Sequence, residues 1–244
     1  MMSSKKPLLE VFTICWQEAD RIKQLIDFYR ERVPDCLITV FDNMSTDNIE
    51  QVCKDNNVKY NQFDTDGKFD EQTLIDIRNN CWKNSDARFI IVCDSDELVD
   101  VREMSLERCD TLKEWNVSKC IGINIVGHDK DFKDAKYGVF SEKYSKPILF
   151  YKEEIYSMNF LPGSHTAMPT PIEGKRIKFD NGSFKLYHTK WLDYESAMER
   201  NKLIRDKGLS ENNIKRLWTL YYNDEDEKHK EYFEEMFNRR IKIR

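Results

Sequence analysis

Phe89-Ile90-Ile91-Val92-Cys93-Asp94-Ser95-Asp96-Glu97 holds five apolar residues without a polar break, then three carboxylates within four positions. An unbroken apolar run this short reads as a strand buried on both faces, central in a parallel or mixed sheet. In an open α/β sheet, ligands bind in the crevice outside the carboxyl ends of the strands, where these acids fall. Carboxylates crowded at the rim of a core repel one another and call for a cation. Asp94 and Asp96 can share Mn²⁺ (or Mg²⁺) and leave coordination positions for water and phosphate oxygens. On that reading, removing one of the two charges should relieve repulsion in metal-free buffer. The plain alternative is a strand followed by a solvated acidic turn.

Upstream, the chain alternates between the two periodicities. Residues 8–14 read as a first strand. Residues 18–33 carry Ile22, Leu25, Ile26, Tyr29 and Val33, the spacing of an amphipathic helix, and Pro34 ends it. Residues 37–41 form a second buried strand that breaks into Asp42-Asn43-Met44-Ser45-Thr46-Asp47, a cluster rich in helix-capping side chains. A short helix marked by Ile49, Val52 and Cys53, a weaker strand at 58–63 and a helix at 69–82 lead into the central strand. The order β-α-β-α-β-α-β implies a parallel sheet with helices on both faces.

Downstream, Leu106, Cys109, Leu112 and Trp115 mark a helix. Strands are expected at 120–126 and 147–151, with a charged loop or lid at 129–146 between them. Residues 159–183 read as irregular and 184–188 as a last strand. From Trp191 onward the pattern is helical (194–205, 210–222, 224–240). Tyr232, Phe233, Met236 and Phe237 form an aromatic stripe that packs the last helix down, or else offers a homodimer surface.

The 244 residues suit one large domain, or one with an appended helical segment. A net charge of −5 without a basic stripe argues against a nucleic-acid binder. Residues 1–17 hold neither a signal-peptide pattern nor a membrane span. Seven scattered cysteines without a Cys-x-x-Cys pair read as reduced core thiols, which favours a cytoplasmic location. Sequons stand at Asn43, Asn116 and Asn181, and a glycan on the first would fall in the loop after the second strand.

Two strand ends carry matching chemistry. A carboxylate at Asp42 can accept from a ribose hydroxyl or a base N–H, as acids at such strand ends do in dinucleotide folds; the same cluster also suits simple capping of the helix behind it. Taken together, strand-Asp42-Asn43-x-Ser45-Thr46-Asp47, then Arg78-Asn79 in a helix, then strand-Asp94-x-Asp96 resembles the GT-A glycosyltransferases. The resemblance is to the family 2 type and the related family 92-like group, in which a Gln and a Cys precede Asp-x-Asp-Glu; here these are Gln72, Cys81 and Asp94-Ser95-Asp96-Glu97. It covers residues 8–100 and continues loosely through Lys146-Pro147, Gly163-Ser164-His165 and Leu186-Tyr187-His188. Gln17-Glu18 depart from the Asn-Glu of many family 2 members.

The resemblance implies a GT-A catalytic domain at 1–190, with a mostly parallel central sheet flanked by helices, and a C-terminal helical extension at 191–244 packed on it. It implies a nucleotide-sugar donor, UDP before GDP, and transfer to a hydroxyl of a glycan, lipid-linked or protein acceptor. The donor site would comprise Asp42, Asn43, Ser45, Asp47, Arg78, Asp94 and Lys146. Asp94, Asp96 and His188 would hold the metal, and Asp96, Arg78 and His165 would carry the chemistry. A neutral imidazole at His188 or His165 can complete Mn²⁺ coordination or accept a hydroxyl proton. Either histidine also has a plainer reading as a hydrogen-bonded structural residue, while His128 and His229 lie in charged, solvated segments. One rival is a sugar-nucleotide pyrophosphorylase or cytidylyltransferase, which usually shows a Gly-rich basic loop after strand one; residues 15–20 contain no glycine. Another is a non-catalytic module that keeps the fold as a binding platform.

Overall fold

The computed structural model describes residues 6–243. Residues 1–5, part of the stretch read above for a leader, lie outside it, as does the side chain of Asn181. Chain order begins β1 (Leu9–Cys15), α1 (Ala19–Arg32), β2 (Leu37–Asp42), α2 (Ile49–Asp55), β3 (Lys59–Gln62), α3 (Glu71–Asn80) and β4 (Phe89–Asp94). These strands pair in parallel in the order β3-β2-β1-β4. All seven residues of β1 are buried, including the polar Glu10 and Thr13, as a strand in the middle of a two-faced sheet requires. Helix α1 lays Ile22, Leu25, Ile26 and Tyr29, each 0% exposed, onto the sheet. Each such side chain contributes about 1.5–3 kcal/mol through burial. The parallel alternation places the carboxyl ends of β1, β2 and β4 side by side, with Cys15 beside Asp42 and Ile14 beside Asp94.

The second half contains β5 (Glu97–Val99), α4 (Glu103–Leu112), β6 (Val117–Ile125), β7 (Tyr137–Phe140), β8 (Leu149–Tyr151), β9 (Ile155–Ser157), β10 (Thr170–Pro171), β11 (Phe179–His188), α5 (Tyr194–Lys207), α6 (Glu211–Lys215), α7 (Asp226–Arg239) and β12 (Ile241–Lys242). Here the pairing changes direction. Strand β8 runs antiparallel between β4 and β6, and β7 and β12 continue antiparallel beyond them. The sheet is therefore mixed, with its parallel half carrying the acidic motif. Strand β11 lies parallel to β6 and antiparallel to β5, a register that sets His188 beside both Glu97 and Asn124. That three-strand arrangement brings the C-terminal histidine to the acidic turn.

Several sequence expectations change. The stretch 129–146 is not simply a loop or lid: it contains β7 and a 3-10 turn at Glu142–Tyr144. Its short alternation among charged residues gave no apolar run to read. Strand β11 begins at Phe179, because residues 179–181 pair with 117–119 ahead of an irregularity in register. The single helix expected over 210–222 divides into α6 and a 3-10 turn at Leu220–Asn223, with Leu217 and Thr219 at φ +57° between them. His229 is buried against Trp191, not solvated. Of the aromatic stripe on α7, Phe233 and Met236 bury against Val126, Trp191 and Ala197 in a second small core, while Tyr232 is exposed. All seven cysteines are free thiols. Among the described residues, no helix is long and apolar enough to cross a membrane.

Candidate active site

The site is built on the turn between β4 and β5. The backbone oxygen of Asp96 accepts from Thr189 N at 2.7 Å, which pins the turn to the residue following His188. His188 itself is 3% exposed. Its Nδ1 donates to Asn124 Oδ1 at 2.8 Å, and the Asn124 amide nitrogen faces the Met236 sulfur at 3.4 Å. The Tyr144 ring stacks on the imidazole with centroids 3.6 Å apart. Gly122 permits this stacking, because a Cβ there would collide with the Tyr144 carbonyl. Nε2 then points at Asp96 Oδ2, 3.5 Å away. Burial pushes the His188 pKa down despite that carboxylate, so the ring is neutral at physiological pH. Burial also opposes charge on Asp96, but His188 in its protonated form, with Arg21 and Lys146, outweighs it and holds the carboxyl below the ordinary range.

Asp94 has different company. Arg78, 2% exposed, donates from Nη2 to Asp94 at 2.7 Å and from Nη1 to Glu71 at 2.8 Å. Lys146, 1% exposed, pairs with the buried Glu97 and lies 4.0 Å from Asp94 Oδ2. Glu71 accepts from Gly163 N at 2.7 Å, while Lys146 donates to Gly163 O. A ring of buried charges thus clamps both backbone groups of Gly163 and fixes the turn that presents His165. Burial raises the Glu97 carboxyl even against the Lys146 charge. Burial and the Lys146 charge lower His165 to about 4. His165 Nδ1 donates to Lys143 O at 2.7 Å, which leaves the lone pair on Nε2.

The loop after β2 is arranged differently from expectation. Asp42, Ser45 and Asp47, expected at the donor, are spent on structure. Asp42 is fully buried and accepts from Tyr60 Oη at 2.8 Å, from Ser45 N at 3.0 Å and from Ser45 Oγ. Ser45 Oγ also accepts from Gln17 N at 2.7 Å, and Asp47 caps Ala19 N at 2.9 Å and Ile49 N at 3.3 Å. A buried carboxylate needs donors, and this loop and Tyr60 of β3 supply them. Of the cluster, Asn43 reaches the cavity wall.

The cavity holds about 340 Å³, a volume suited to a small ligand. Its wall includes Arg78, Asp94, Asp96, Lys146, His165 and His188 from the sequence expectations. It also includes groups not read from the sequence: Trp16, Arg21, Lys143, Lys190, Arg200, Lys207, Trp218, Tyr221 and Tyr222. Arg200 donates to Trp16 O at 2.5 Å and pairs with Glu18 at 3.3 Å, while Lys207 lies 3.9 Å over the Trp16 ring. Burial lowers Lys207 to about 8 and Lys190 to about 7. Helical periodicity picks out the apolar face of α5 and says nothing of where its cationic face points. The available signal was the density of Lys, Arg and aromatic residues after His188.

No family model matches the chain, and no curated protein matches it. Among solved structures it is similar to S. aureus TarS 1–349, at 16% identity over 82% of this chain and 65% of that one, with a TM-score of 0.45. It is similar to the Pyrobaculum calidifontis mannosyltransferase PcManGT in complex with GDP-Man and Mn²⁺, at 16% identity over 49% and 36% of the two chains (TM-score 0.35). It is also similar to the Mycobacterium tuberculosis glucosyl-3-phosphoglycerate synthase in complex with Mn²⁺, UDP and glucosyl-3-phosphoglycerate, at 15% identity over 48% and 44% (TM-score 0.32). The chain spans 65% of the length of the TarS fragment.

Among the described residues, no three His, Cys, Asp or Glu side chains converge as a closed metal site. Two do meet. With Nδ1 donating to Asn124, the Nε2 lone pair of a neutral His188 faces the charged carboxylate of Asp96, and a cation between them satisfies both. Asp94 lines the same cavity, with its Oδ1 engaged by Arg78.

Proposed function

We propose that this chain is a metal-dependent GT-A glycosyltransferase, which moves a sugar from a nucleotide-diphosphate donor, UDP favoured, to an acceptor hydroxyl. The observation that carries the reading is the meeting of Asp96 and His188 at the carboxyl end of the central sheet, facing a cavity rimmed with cations. Mn²⁺ or Mg²⁺ would be held by Asp96 and His188, with phosphate oxygens and water completing its sphere. When bound, the cation neutralises the charge that gathers on the β-phosphate as the anomeric C–O bond breaks.

The chain's own groups do the rest. His165, neutral with its lone pair on Nε2, is the base for the acceptor proton. Arg78 and Lys146 position: they hold Asp94, Glu97 and the Gly163 turn, and Arg78 is too closely engaged to approach substrate. Asn43, whose amide is held by Thr65, is the residue of the β2 loop on the cavity wall and the one placed to meet the nucleoside. A reducing, cytoplasmic setting suits the seven free thiols.

Incubation with a panel of UDP- and GDP-sugars in Mn²⁺ tests the reading. Slow release of the nucleoside diphosphate with water as acceptor, abolished by chelator, is the expected result. Pyrophosphate release from a nucleoside triphosphate and a sugar phosphate, with no turnover of any nucleotide sugar, would replace this reading with a pyrophosphorylase.

A further inference from the structure

Lys190 is a buried amine that no anion touches, although Asp96 favours its charged form from a distance. It is 7% exposed, lines the cavity, and makes no hydrogen bond or ion pair among the described residues. Its neighbours are ring faces: Tyr222 at 4.8 Å, Tyr221 at 5.0 Å and Trp191 at 5.3 Å. Lys143, also without an ion partner among the described residues, lies 5.4 Å over the same Tyr221 ring and 5.8 Å over Tyr144. Two cations thus flank one tyrosine, next to the wall where Tyr144 stacks on His188. Ring faces attract a cation but do not replace the solvation an ammonium loses on burial. Buried charges are ordinarily paired, and here the open direction is the cavity. Thr189, the residue before Lys190, is bonded to the Asp96 backbone, which fixes this ammonium relative to the acidic turn.

We propose that Lys190, assisted by Lys143, is an anion site that takes the β-phosphate of the donor opposite Asp96 and His188. This rests on the glycosyltransferase reading and adds the protein's own cation to it. In the transfer, the bond between the anomeric carbon and the β-phosphate oxygen breaks, and its electron pair stays on that oxygen. The acceptor oxygen bonds to the anomeric carbon and its proton passes to His165. Lys190 stabilises the phosphate on which the negative charge accumulates. It contacts the leaving group, not the sugar or the base.

Calorimetric titrations of UDP, uridine and inorganic pyrophosphate into the wild type, Lys190→Met and Lys190→Arg test the proposal. Lys190→Met keeps the length and the ring contacts, so its melting temperature should hold or rise as an unpaired buried charge is removed. The expected result is a loss of about tenfold or more in affinity for UDP and pyrophosphate, unchanged uridine binding, and partial recovery in Lys190→Arg. If Lys190 serves only to clamp Tyr221 and Tyr222, Lys190→Met lowers uridine affinity and melting temperature together, which overturns the proposal. Loss of pyrophosphate binding with UDP affinity retained would assign the site to some other anion and also overturn it. If the glycosyltransferase reading alone is wrong, wild type fails to bind UDP while pyrophosphate binding still depends on Lys190.

Discussion

His188 Nε2 stands 3.5 Å from Asp96 Oδ2 with its other ring nitrogen committed to Asn124. The register of β5, β11 and β6 creates this relationship, and the Tyr144 ring holds it. On the proposed reading it would supply two ligands to a divalent cation, with the His188 tautomer fixed by Asn124.

His188→Ala should therefore weaken Mn²⁺ binding by about tenfold or more, and Asn124→Leu, which frees the tautomer, by a smaller factor. Electron paramagnetic titration of Mn²⁺ measures both. Unchanged affinity in His188→Ala would return the histidine to a purely structural role.

Asp96→Asn should abolish metal-dependent donor binding. Sequence alone suggests that the change relieves repulsion with Asp94, but the structure sets Arg21 against Asp96, and Arg78 and Lys146 against Asp94. The Asp96 carboxyl is held below its unfolded value of 3.8, so the charge contributes stability above that pH and loses it as pH falls further. Asp96→Asn should thus be somewhat less stable than wild type in metal-free buffer at pH 7. Urea denaturation measures it, and a more stable variant would show that repulsion governs after all.

The buried ring of charges gives a larger effect. Lys146→Met strands Glu97, which is 1% exposed, and should cost about 3–5 kcal/mol. Adding Glu97→Gln should recover much of that loss. Denaturant midpoints with equal slopes test the pair, and additive losses in the double variant would show that the two residues are not coupled.

Gly163 sits at φ +61°, and a Cβ there would come within 2.9 Å of the His165 ring. Gly163→Ala should lower turnover while leaving UDP affinity nearly intact. His165→Gln should cost about 10²–10⁴ in kcat, the usual range for a general base. The folded protein holds His165 near 4 against 6.5 unfolded, so activity should persist through pH 6 and fall as pH approaches about 4. The neutral ring's contribution to stability is complete above about 6.5 and declines as pH falls toward 4. A pH profile with an acid limb near 6.5 that His165→Gln leaves unchanged would remove this residue from the mechanism.

The parallel half of the fold was legible because β1, β2 and β4 are mostly apolar runs ended by polar residues; β3, Lys59-Tyr60-Asn61-Gln62, is polar and gave only a weak signal. Asp94, Asp96 and His188 stood out at strand ends and His165 in a loop, Arg78 on a helix before the acidic strand, and Lys146 only through the resemblance; the structure brings all six to one cavity wall. Their partnerships were not. Sequence spacing cannot show that Arg78 faces Asp94 and Glu71 together, or that the donors around Asp42 turn it inward. Strand β5 escaped notice because three residues after an acidic turn carry no period. Arg200 and Lys207 escaped because a cation's direction depends on how a helix is docked, and the docking is set by the small core around Trp191; Lys190 escaped because it sits in the turn between β11 and α5, which carries no period.

The most direct test of the central claim is calorimetric titration of UDP into the wild-type protein with saturating Mn²⁺ and again with excess chelator. The account predicts measurable binding in Mn²⁺ that weakens by an order of magnitude or more in chelator, and a much smaller difference in His188→Ala. UDP binding that is equally tight in both buffers, or absent from both, would contradict it.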